Sequence, residues 1–67
     1  MKKVSDFVEE ELKSYEENKQ EYIVCMFENG VEVANAYIQD FKEELPQYME
    51  KEIKKIEYYS ESAYVHI

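Results

Sequence analysis

Apolar residues recur along these 67 residues with two different periods, and the change of period divides the chain. Val4, Phe7, Val8, Leu12 and Tyr15 stand at i, i+3, i+4, i+8 and i+11, the stripe of an amphipathic helix over residues 4 to 18. Ser5 or Asp6 is the expected N-cap. With Asp6 in that place, Glu9 falls three residues on, as in a capping box.

Residues 21 to 39 read EYIVCMFENGVEVANAYIQ. Asn29-Gly30 between two β-prone runs predicts a hairpin, because a type I′ turn needs positive φ at both positions. The first run, Tyr22 to Phe27, is apolar on both faces and reads as the more buried strand. The second alternates Val31, Val33, Asn35 and Tyr37 against Glu32, Ala34, Ala36 and Ile38. A competing helix over 31 to 45 is also written there, since Val33, Tyr37, Phe41 and Leu45 repeat every four. The hairpin is preferred.

Asp40-Phe41-Lys42-Glu43 opens a second helix, expected to reach about residue 53 and to kink at Pro46, whose ring removes an interior hydrogen bond. Its buried face is Phe41, Leu45, Tyr48, Met49 and Ile53. Strand character returns at Ile56 to Tyr59, and Ser60-Glu61-Ser62 bends the chain before Ala63 to Ile67. The expected fold class is therefore α+β, one domain over 1–67. It has an N-terminal helix, a β-hairpin, a kinked second helix and one or two C-terminal strands, with the helices packed on a small antiparallel sheet.

Composition narrows what such a domain does. Sixteen Asp and Glu against eight Lys, a net charge of −8, exclude ordinary nucleic-acid binding, which neutralises phosphate with cations. The same balance disfavours anionic membranes and steers the protein toward basic partners. The longest apolar run is too short to span a bilayer, and MKKVSDFVEE lacks the apolar core of a signal peptide. One cysteine and one histidine supply no disulfide framework and no metal spacing; an unpaired cysteine fits a reducing cytoplasm. A chain this short often needs a second copy to be stable, so a homodimer is expected.

Enzyme chemistry finds little support. Cys25 lies among Ile23, Val24, Met26 and Phe27 and reads as a core residue. His66 has no catalytic partner implied by any motif. No EF-hand pattern is present, and a chain this small leaves little room for a substrate cleft. No cofactor or metal is expected. Tyr15, Tyr37 and Tyr48 fall on predicted core faces. Tyr58 and Tyr59, adjacent on a strand, point to opposite faces, one buried and the other exposed or an interface anchor.

The stretch DFVEEELKSYEE, residues 6 to 17, holds six carboxylates. On a helix, Asp6, Glu10 and Glu17 fall together opposite the apolar stripe, and Glu9 and Glu16 form a second row, with Lys13 between the rows. Such like-charged neighbours repel by a few tenths of a kcal/mol per pair. Glu11 instead falls inside the apolar stripe, which points to a rim position or a contact with another chain. Glu43, Glu44, Glu50 and Glu52 give the second helix a similar face, diluted by Lys42, Lys51, Lys54 and Lys55. The ordinary reading of such faces is solubility. Rows of carboxylates on a rigid helix also reproduce the several-ångström spacing of phosphates along a strand.

In size, in charge, in that acidic stretch, in its scattered tyrosines and in its lack of Arg and Trp, the chain resembles the small acidic phage proteins that act as DNA mimics, among them inhibitors of the bacterial nucleoid protein HU. The resemblance implies a dimer in the host cytoplasm that occupies the DNA-binding surface of an HU-like protein. The partner-binding residues follow from the helical geometry: Asp6, Glu9, Glu10, Glu16, Glu17, Glu43 and Glu44. The alternative is a general protein–protein adaptor or antitoxin-like module whose acidity serves solubility.

Overall fold

The computed structural model describes residues 2–67. The first helix, α1 (Val4–Asn18), begins with Lys3 as N-cap. Ser5 and Asp6 therefore lie inside the helix, and the expected cap is corrected by tertiary partners. The Val4 and Ser5 N–H groups donate to the carbonyls of Lys51 (2.9 Å) and Met49 (2.9 Å), so the donors that a cap would satisfy are taken by another segment. Asp6 still serves the helix start, in the third position, by accepting from the Lys3 N–H at 3.1 Å. At the other end Lys19 turns left-handed with φ 55° and stops the helix.

The hairpin forms as the Asn-Gly pair predicts. Strands β1 (Ile23–Glu28) and β2 (Val31–Tyr37) are antiparallel, and Asn29 and Gly30 have φ of 55° and 79°. The competing helix over 31 to 45 does not form across these paired residues. The register shifts between Met26 and Phe27: Phe27 faces Glu32 while Met26 faces Ala34, which leaves Val33 as the extra residue of a bulge. Beyond the bulge the buried face of β2 is Ala36, followed by Ile38, while Val33 and Tyr37 are 43% and 46% exposed. Tyr37, expected in the core, is thus outside it. Small Ala34 and Ala36 lie opposite Met26 and Val24, so the core on this side is filled by β1 and the helices rather than by large β2 side chains.

The second helix is short. α2 (Phe41–Glu44) is a single turn, followed by a 3₁₀ turn over Pro46–Tyr48. Leu45, which precedes the proline, has φ −127° and ψ 49°, outside the α region as the proline ring requires. The kinked helix expected to residue 53 is corrected here: the chain leaves helical geometry at Leu45. Residues 49 to 53 run instead beside the start of α1, with the Ile53 N–H donating to the Lys2 carbonyl at 2.9 Å and Lys3 bridging Glu52. The apolar face of this segment is right even so, since Phe41 is buried and Leu45, Tyr48, Met49 and Ile53 pack against the core.

Strands β3 (Lys55–Tyr58) and β4 (Ser62–His66) complete a four-stranded sheet in the order β2-β1-β4-β3. The outer pairings are antiparallel, but β1 and β4 are parallel, with Val24 beside Ala63 and Met26 beside Val65. The sheet is mixed rather than antiparallel because the long passage from β2 through α2 carries the chain across the sheet before it returns. Val4, Phe7 and Val8 of α1 and Phe41 of α2 close one face over Val24, Met26, Ala63 and Val65. On the opposite face Phe27 packs its ring against Tyr64 (4.8 Å) and His66 (5.2 Å), and Tyr59 packs on Tyr64 (4.8 Å). Cys25 points to that face and is buried, as its apolar neighbours predict.

Candidate acidic interface

Asp6, Glu9, Glu10, Glu16 and Glu17 are all exposed on α1. At 3.6 residues per turn they share one arc of the helix, opposite Val4, Val8, Leu12 and Tyr15. Two of the five have partners within the protein. Asp6 binds the Lys3 N–H, and Glu10 meets the Lys2 ammonium at 2.6 Å; this hydrogen bond is the main reason the Lys2 pKa is raised. An exposed pair of this kind contributes little to stability. Glu9, Glu16 and Glu17 have no ion pair or hydrogen bond among the described residues. Glu16 and Glu17 also lie in the last turn, which contains no basic residue. The carbonyl end of a helix dipole repels carboxylates, so their placement works against the helix that carries them.

Glu43 and Glu44 are exposed as well, but on α2. No hydrogen bond or ion pair among the described residues joins them to the α1 acids. The seven expected site residues thus divide into an α1 set of five and an α2 set of two.

Glu11, outside the seven expected site residues, has a partner from beyond its helix. It is half-buried at the edge of the apolar stripe and accepts a hydrogen bond from the Tyr22 hydroxyl. Burial, then this bond and the Glu11 charge, push the Tyr22 pKa up. Tyr58, raised chiefly by burial, also feels Glu11. The signal in the sequence, a carboxylate inside an apolar stripe, points to a rim position or a contact with another chain; the partner lies instead within the same chain. Tyr22, drawn from another element, was not legible there.

The chain matches no protein family, no curated protein and no solved structure. Its site is therefore read from its own side chains. Tyr58 and Tyr59 are 63% and 53% exposed, so neither is buried as one of them was expected to be; the adjacent turn at Ser60 and Glu61 leaves β3 without cover at that end. His66 does have a carboxylate partner: Glu57 Oε1 lies 2.7 Å from its Nε2, and this contact is the leading cause of the lowered Glu57 pKa. The pair ties β3 to β4 beside the Phe27 ring. The Cys25 thiol is pushed up by burial and by Glu32, the opposite of what activates a nucleophile. Among the described residues no group of three His, Cys, Asp or Glu could hold a metal ion, and no helix is long and apolar enough to cross a membrane.

Proposed function

We propose that this protein is a binding protein rather than an enzyme. Acting in the host cytoplasm, it docks on a basic, DNA-binding protein of the HU type and excludes DNA from it, with the α1 carboxylates standing where phosphates would. The observation that carries this reading is the placement of Glu16 and Glu17. They are exposed, lack a cationic partner among the described residues and sit at the helix end that disfavours them, so fold stability does not account for them. A net charge of −8 adds steering toward a basic surface.

The direct test is competition. Labelled duplex DNA bound to purified HU at low salt should be released by the protein, and direct binding of the protein to DNA-free HU should be lost at several hundred millimolar salt, where exposed charges are screened. The double variant Glu16→Lys/Glu17→Lys should displace DNA far less well. DNA that stays on HU at low salt, whatever the excess of the protein, would remove HU-type competition.

A second reading, the adaptor, is favoured by one observation. β2 is a sheet edge with a single charged residue, Glu32, and with Val31, Val33 and Tyr37 at 62%, 43% and 46% exposure. Exposed edges invite strand pairing, and this is the surface we propose for a homodimer. Val33→Lys should convert a dimer to a monomer in sedimentation equilibrium; a wild-type monomer would end the dimer proposal.

A further inference from the structure

Two clefts flank Tyr22, and both are walled by tyrosine and carboxylate. The first, of about 180 Å³, has Glu11, Tyr15, Tyr22, Tyr58 and Tyr59 in its lining. The second, of about 260 Å³, is lined by Glu21, Tyr22, Ile23, Tyr37 and Glu61. No lysine lines either one. The first has room for about six waters, the scale of one side-chain end rather than of a whole small-molecule substrate.

Its chemistry selects a cation. Tyrosine rings present the negative face of their quadrupole, and a carboxylate among them adds a full charge. The protein already uses this attraction at the rim, where the Lys19 ammonium lies 5.7 Å from the Tyr15 ring centroid. Glu11 Oε1 is engaged by the Tyr22 hydroxyl, and Oε2 has no partner among the described residues. One free oxygen suits the point charge of an ammonium. A guanidinium prefers both oxygens in a bidentate fork.

We propose that the Glu11–Tyr22 cleft receives the ammonium end of a lysine side chain of the basic partner. Glu11 Oε2 accepts the hydrogen bond from Nζ, and the tyrosine rings enclose the methylenes. This rests on the binding of a basic protein proposed above. It adds a socket, at the edge of the apolar stripe of α1, to the acidic face of the same helix.

The experiment titrates the intact protein with a short lysine peptide, the same peptide carrying arginine, and n-butylammonium, following the tyrosine ring resonances by NMR. The lysine peptide should shift Tyr22 and Tyr58, bind more tightly than the arginine peptide and more tightly than n-butylammonium. Glu11→Gln should weaken it roughly tenfold, the scale of a partly desolvated cation–π and ion contact. Tyr58→Leu, at a ring 63% exposed, should weaken it severalfold, and serves if Glu11→Gln proves unstable. Unchanged binding in both variants, or equal binding of arginine, overturns the cleft; tighter binding of n-butylammonium overturns its assignment to a protein side chain. Lysine binding lost only in Glu16→Lys/Glu17→Lys sinks the cleft and leaves the helix face standing. A lysine peptide held by Glu11 in a protein that never displaces DNA from HU sinks the HU reading and leaves the cleft.

Discussion

Single residues set two properties that can be measured without knowing the partner. Tyr22 holds its proton more firmly in the folded protein than in the unfolded chain, through burial first and Glu11 second. A neutral acid whose pKa is raised on folding contributes stability below its unfolded value, about 10 for tyrosine, and loses it as pH rises above that. The stability advantage of the wild type over Tyr22→Phe should be steady up to about pH 10 and shrink beyond it, read from urea midpoints at about pH 8 and about pH 11. An advantage that grows at high pH would contradict the Tyr22–Glu11 bond. Gly30 carries the second property. Its φ is 79°, and a Cβ there would meet nothing within 4 Å, so Gly30→Ala should cost only the backbone term, about 1 to 2 kcal/mol, in thermal or urea unfolding. Asn29-Gly30 was legible because turn chemistry is local. Tyr37 was not, because alternation offers two faces and the packing of α1 chooses between them.

At the scale of elements, α1 is the case where sequence pattern and structure agree best, and where the proposed function conflicts with stability. Its apolar stripe was plain, and its length is close to that expected. Glu16 and Glu17 in the last turn oppose the dipole. Glu16→Lys/Glu17→Lys should therefore raise the unfolding midpoint while weakening competition with DNA, each position giving a few tenths of a kcal/mol after surface screening. Parallel loss of stability and binding would instead mean that the acids support the fold. The second helix shows the opposite lesson. Its apolar residues were correctly placed, but a period of three to four does not report length. Pro46 ended α2 after one turn, and the segment beyond found its hydrogen bonds with the start of α1. Such partners are distant in sequence, and a local pattern carries no trace of them.

For the whole molecule, the sequence disclosed the α+β class and the order of elements, but not the parallel contact at the centre of the sheet. Strand propensity says which residues extend; it does not say which strands become neighbours. The α1 acids were legible as a group because a helix fixes their relative angles. The cleft between α1 and the sheet was not, since Tyr22 and Tyr58 come to Glu11 only after the chain has folded back twice. Charge also acts at this scale: with a net charge of −8, the association proposed with a basic surface should be fast and steeply dependent on ionic strength.

The central place of β4 has a consequence for biosynthesis. The β1–β2 hairpin can form as soon as residue 37 is free of the ribosome, yet the other side of β1, from Ile23 to Phe27, waits for Ser62 to His66. The start of α1 likewise waits for the Met49 and Lys51 carbonyls. Both contacts are thus closed by residues made well after the hairpin, and the domain becomes a single cooperative unit only when translation has passed β4.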